Sequence, residues 1–166
     1  MGLLDESSIA DCTGKSRVIN TKKIKTLNTY RSRRLFSYFG CLCLGGKSVV
    51  KTAEKCKKED CLEFFKALRQ ANPQKKLIII LDNAKIHKAK IIKEFSHKNE
   101  IILVYLPPYS PNLNPIEFMW KDLKKRLSEH YQENVEKLKI IGQAISQELL
   151  ELRQFSYTAK WREKFL

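Results

Sequence analysis

Apolar and polar positions divide this chain into short runs that read as strands and longer periodic stretches that read as helices. Leu3 to Ile9 has the pattern of a short strand. Leu35 to Leu44 is aromatic and apolar, and Lys47 to Thr52 carries Val49 and Val50. Gly45-Gly46 between them signals a hairpin, because glycine takes positive φ without steric cost. Residues 59–70 place Leu62, Phe65 and Leu68 at helical spacing with Phe64 flanking, and Pro73 closes that helix. Leu77 to Leu81 and Ile101 to Leu106 are continuous apolar runs, the pattern of strands buried on both faces of a sheet. A short helix is expected over 86–95 between them. After Pro107-Pro108, the prolines at 111 and 115 keep the chain extended. A helix then starts at Pro115 with Asn114 as its N-cap, burying Ile116, Trp120, Leu123 and Leu127. The last helix, over 134–155, repeats Val135, Leu138, Ile141, Ile145, Leu149 and Leu152 at three- and four-residue spacing.

The predicted order is strand, hairpin, helix, strand, helix, strand, helix, helix. An antiparallel hairpin followed by alternating strands and helices implies an α/β fold, a mixed sheet flanked by helices. At 166 residues the expectation is one domain spanning 1–166, large enough to bury a substantial core. No apolar run approaches the roughly 18 residues of a membrane span, and no signal-peptide pattern is visible. The five cysteines are odd in number and lack a C-x-x-C pair. That argues against a disulfide framework and a zinc site and fits a reducing cytoplasm.

Charge changes the picture more than composition does. The net charge is +14, and between Cys12 and Ala53 there are ten Lys or Arg and no Asp or Glu. Lys22, Lys23, Lys25, Arg31, Arg33 and Arg34 are the densest part of this polar, turn-rich stretch. A long segment of one sign repels itself unless a polyanion neutralises it, so nucleic acid is the expected partner. Lys121, Lys124 and Lys125 add a basic helix face.

Against this basic background stand three carboxylates from separated parts of the chain. Asp5 and Asp82 each follow an apolar run and are expected at strand ends. Glu117 lies in the first turn of the helix that starts at Pro115. Such a set suits two Mg²⁺ ions, roughly 3.5–4 Å apart, held against a phosphodiester. Each residue also has a plainer reading. Asp82-Asn83 is a common strand-ending turn, Glu117 is placed to be a capping-box acid for Asn114, and Asp5 with Glu6 suits an exposed chain end. His87 is read as a packing residue or one that orients Asp82 or a phosphate, Trp120 as core, and Tyr109 as a loop residue placed to meet a ligand.

The motifs are more specific than the single residues. Leu-Asp-Asn-Ala-Lys-Ile-His at 81–87 is followed by Leu-Pro-Pro-Tyr-Ser-Pro-Asn-Leu-Asn-Pro-Ile-Glu at 106–117, then Trp120 and Lys121. Together they resemble the catalytic domain of DDE transposases, in particular the insertion-sequence branch of the mariner-like superfamily. The 34 residues between Asp82 and Glu117 suit that branch, and Leu-Leu-Asp-Glu-Ser at 3–7 matches its first acidic motif. The resemblance implies a ribonuclease H-like fold. It also implies two Mg²⁺ ions, with Mn²⁺ able to substitute, on Asp5, Asp82 and Glu117. Asn83, His87, Tyr109 and Asn114 are the candidates for supporting residues around them. The implied activity is cleavage at transposon ends and strand transfer into target duplex DNA, by a homodimer in the nucleoid of a prokaryotic cytoplasm. Only four residues precede Asp5. The helix-turn-helix region usual in the family is therefore expected to be absent here and supplied, where needed, by a separately encoded half. The alternatives are a non-catalytic DNA-binding remnant and a ribonuclease H-like nuclease with another role.

Overall fold

The structure, a computed structural model, describes residues 1–10, 34–108, 110, 113–130 and 134–165. The stretch read as a basic loop with irregular strand, residues 12–34, lies outside them except for Arg34, which opens a strand instead. The described elements are β1 (Gly2–Ala10), β2 (Arg34–Cys43), β3 (Val49–Ala53), α1 (Lys58–Ala71), β4 (Leu77–Leu81), α2 (Lys90–Lys98), β5 (Ile101–Tyr105), α3 (Ile116–Leu127) and α4 (Val135–Phe165). The five strands form one mixed sheet in the order β3-β2-β1-β4-β5. β1, β2 and β3 are a meander of antiparallel neighbours, while β4 runs parallel to both β1 and β5. The hairpin turns where expected, with Gly45 at φ +87°.

Strand alternation splits the core between the two faces of the sheet. Leu4, Phe39, Cys41, Ile79 and Leu81 pack with α1 and α2, including Phe64, Phe65 and Leu68. Leu3, Ile9, Phe36, Tyr38 and Leu42 pack with α3 and α4, including Ile116, Trp120, Leu123 and Leu127. Cys41 and Cys43 face the α1 side together, their sulfurs 3.8 Å apart, and behave as small buried side chains. Among the described residues no helix is long and apolar enough to cross a membrane.

Four local expectations are corrected. β4 and β5 are not buried on both faces: Ile78, Ile102 and Val104 are exposed, since α3 and α4 lie over β1 and β2 and leave the far edge of that face uncovered. The helix expected over 86–95 is α2 at 90–98, because residues 85–88 form turns that deliver His87 inward. Asp5 is not at a strand end, since β1 continues to Ala10 along β2. Asn114 does not cap α3. Pro115 holds the N-cap position without a side-chain bond, and the Asn114 amide instead donates to the Leu4 carbonyl at 3.0 Å. A buried carbonyl in the central strand competes for that amide more strongly than a helix end near solvent does.

α4 docks on β2 through one close approach. The Tyr38 hydroxyl donates to the carbonyls of Leu138 and Lys139 at 3.2 and 3.1 Å, and a Cβ on Gly142 would lie 2.2 Å from that hydroxyl. Replacing a mid-helix Gly by Ala gains about 1 kcal/mol of helix propensity. Displacing a buried hydroxyl and overpacking its ring costs about 1–3 kcal/mol each. Gly142→Ala is therefore expected to lower the melting temperature despite its better helix propensity. Adding Tyr38→Phe, which removes the clashing oxygen, is expected to recover part of the loss in a thermal melt.

Candidate active site

β1 is the central strand, and its two-residue period sends neighbouring acids to opposite faces. Asp5 points to the α3 side and Glu6 to the α1–α2 side. Opposite Asp5 on β2 is Gly40. A Cβ there would fall 2.7 Å from the Trp120 ring, so the bare glycine lets the indole lie across β2. From that position Trp120 Nε1–H donates to Asp5 Oδ2 at 3.0 Å. Trp120 is thus the core residue that periodicity predicts and also a direct partner of Asp5, which periodicity alone does not reveal.

Backbone pairing between β1 and β4 is short, only Gly2 with Ile79 and Leu3 with Ile80. β4 then ends at Leu81, and Asp82 follows at the sheet edge, as expected. Its Oδ1 accepts from the Ala84 N–H at 2.9 Å and contacts His87 Nδ1 at 2.7 Å. The first of these is the turn that the Asp82-Asn83 pair suggests. The Asn83 amide donates to the Leu106 carbonyl, tying this turn to the end of β5. The Asn114–Leu4 bond brings the start of α3 against the residue before Asp5, and so brings Glu117 to the same place. With no side-chain cap bond at the α3 N-terminus, the capping-box reading of Glu117 has no support.

Asp5, Asp82 and Glu117 consequently line one open cleft of about 400 Å³. Asn83, Ser110 and Asn114 share its wall, and Leu106 to Pro108 close one side. The acids share the cleft without being drawn tight: no three acidic, His or Cys side chains are grouped closely enough to hold an ion among the described residues. Tyr109 lies outside the described residues, as do Lys22, Lys23, Lys25, Arg31, Arg33 and the Arg34 side chain. Lys121, Lys124 and Lys125 are exposed on α3, and the Lys121 ammonium sits 5.1 Å over the ring of half-exposed Phe118.

The electrostatics of the three acids differ. Burial, then the charges of Glu117 and Glu6, push the Asp5 carboxyl up to about 7. The His87 contact holds Asp82 below the usual carboxylate range. Burial disfavours a charged His87, but Asp82 and Glu6 outweigh it and raise the ring to about 9. A cleft that resists ionising Asp5 unless positive charge arrives, and whose donors are hard carboxylate oxygens, suits a divalent cation such as Mg²⁺. Glu6 is the residue that sequence reading passed over. The strand period was the available signal, since it requires two adjacent acids to serve different faces.

Comparison with known proteins follows the same line. The family model described as DDE superfamily endonuclease matches residues 2–139. The Tcb1 transposable-element transposase of Caenorhabditis briggsae is 32% identical over 82 residues, which are 49% of this chain and 30% of that protein. Among solved structures, a chain of the Mos1 strand transfer complex superposes with a TM-score of 0.53 at 16% identity, over 96% of this chain and 53% of the other. A chain of the simian T-cell lymphotropic virus intasome in complex with a PP2A regulatory subunit gives 0.55 at 10% identity, over 84% and 45%. These likenesses place the sheet and its helices in the ribonuclease H-like fold. The chain spans under a third of the curated relative and about half of the solved chains.

The raised Asp5 carboxyl sets a pH dependence with a definite sign. Its folded-state value, about 7, lies above the ordinary 3.8, so the stability it contributes is full below 3.8 and is lost as pH rises through about 7. Asp5→Asn keeps an acceptor for Trp120 and removes the charge. In chelator, the variant is expected to melt close to wild type at pH 4 and about 3 °C or more above it at pH 8. Added Mg²⁺ is expected to raise the wild-type melting temperature only. An Asn effect equal at both pH values would contradict the electrostatic account.

Proposed function

The chain belongs to the DDE superfamily of endonucleases, and from that membership we propose that it is the catalytic domain of a transposase, cleaving DNA at transposon ends and transferring the strand into target duplex. The superfamily is divalent-metal dependent. In this reading Asp5, Asp82 and Glu117 hold two Mg²⁺ ions, with Mn²⁺ able to substitute. When bound, such ions would lower the pKa of the attacking water or hydroxyl and offset charge on the leaving oxygen. The observation that carries the reading is the meeting of the three acids, from β1, the end of β4 and α3, in one open cleft of a basic chain.

The remaining work falls to the chain's own groups. Trp120 holds one oxygen of Asp5 and leaves the other for the cleft. Asn114 and Asn83 fix the two loops that carry Glu117 and Asp82 against the strand ends. The cleft opens to solvent along the edge where the acids meet, so a phosphodiester of a duplex lying outside it can reach them. Lys121, Lys124 and Lys125, with the basic residues between Lys15 and Arg34, supply phosphate contacts that grip DNA without reading its sequence. In this reading a second copy of the chain completes the working assembly on DNA.

The decisive substitution is Glu117→Gln. Because Glu117 has no capping duty and its charge opposes an ionised Asp5, Gln is expected to leave the metal-free melting temperature unchanged below pH 7 and to raise it slightly above, never to lower it. Loss of its negative charge is expected to abolish Mg²⁺-dependent nicking of transposon-end DNA. Nicking at the wild-type rate would remove Glu117 from the metal site. Binding of the chain to arbitrary duplex is expected to weaken by about 0.9 log units per log unit of salt for each phosphate neutralised. If duplex binding persists with that slope while the wild-type chain nicks nothing, the domain is a DNA-binding remnant instead.

A further inference from the structure

The parallel ladder that should hold β1 and β4 in register stops just before the acids it must align. Beyond Leu3 and Ile80 no backbone pair joins the two strands, yet Asp5 and Asp82 lie in that unpaired zone. What joins them there is a side chain. His87 is fully buried, with Nδ1 2.7 Å from Asp82 Oδ1 and Nε2 3.2 Å from Glu6 Oε2. The second contact is at ion-pair distance but off hydrogen-bond geometry, and neither of its atoms has a hydrogen-bond partner. The His87 backbone is fixed in turn, because its carbonyl accepts from the Tyr105 hydroxyl of β5 at 3.0 Å.

We propose that Glu6 and His87 are positioning residues for the metal site, the imidazole bracing the turn after β4 against β1 so that Asp82 offers its second oxygen, Oδ2, to the cleft. Asp82 Oδ1 already carries two contacts, from the Ala84 N–H and from His87. Oδ2 is the oxygen left for a cation. Glu6, although adjacent to Asp5, faces away from the cleft and acts from behind through the ring. A ligand oriented by such an outer partner binds metal more tightly because its geometry is set in advance. The inference rests on the metal-site reading of Asp5, Asp82 and Glu117.

Two amide variants separate the two ends of the imidazole. An Asn side chain places an N–H near where Nδ1 stands and loses Glu6, whereas Gln reaches toward the Nε2 position and loses Asp82. Mn²⁺ affinity of the whole chain, read by electron paramagnetic resonance of the free ion, is the measurement, with metal-free melting temperature alongside. His87→Asn is expected to stay within about threefold of wild type, and His87→Gln to lose about tenfold or more. Glu6→Ala is expected to weaken binding by about two- to threefold in the wild-type background, like His87→Asn, which loses the same contact, and to add nothing to His87→Gln, since Glu6 acts through the Asp82 contact that Gln lacks. Equal affinity for the Asn and Gln variants, at any stability, would overturn the positioning role. Losses from Glu6→Ala that multiply with those of His87→Gln would make Glu6 a ligand in its own right and also overturn it. If the wild-type chain binds no Mn²⁺, the metal-site reading fails and takes this inference with it.

Discussion

The structure depends on one constraint, the two-residue period of a strand buried at the middle of a sheet. β1 has neighbours on both sides and helices over both faces, so none of its side chains can choose its direction. Leu3 and Leu4 go to different cores, and Asp5 and Glu6 must do the same. A carboxylate in such a strand is costly unless something answers it. For Asp5 the answers are the Trp120 indole and the open cleft, and for Glu6 the buried imidazole of His87. The site is therefore an outgrowth of the core rather than a set of groups on the surface of a finished fold.

The same constraint explains why both loops bearing the other acids are tied by amides. Each loop leaves the sheet where backbone pairing ends, and side chains of Asn83 and Asn114 replace the missing ladder bonds at Leu106 and Leu4. The alternation of apolar residues places strands and helices, but these asparagines decide where the loop acids come to rest. Their carbonyl partners lie 23 and 110 residues away in sequence.

Much of the fold was legible because it rests on local periodicity. The hairpin at Gly45, the buried stripe Ile116–Trp120–Leu123–Leu127 and the parallel runs at 77 and 101 all follow from spacing within a few residues. What was not legible depends on distant partners. Asn114 has the composition of an N-cap and becomes a strand tether, because Leu4 is nearby only in the folded chain. Ile78, Ile102 and Val104 read as fully buried because a run of apolar residues cannot report how far a helix reaches across the opposite face. Of the acids, Asp82 and Glu117 stand in long motifs, while Asp5 is recognisable mainly by its neighbours. The pairing of Glu6 with His87 was hidden, since nothing links positions 6 and 87 until β1 lies beside β4.

Gly40 gives the site a member that carries no chemistry. It is on a strand that supplies no acid, yet only its missing side chain lets the Trp120 ring cross β2 to reach Asp5. In the proposed reading, the three acids are therefore not the whole condition for a working site. A chain that keeps Asp5, Asp82 and Glu117 but carries a side chain at position 40 would drive the Trp120 ring off Asp5 and leave that carboxylate without its donor. The glycine and the tryptophan belong with the acids as one inseparable unit.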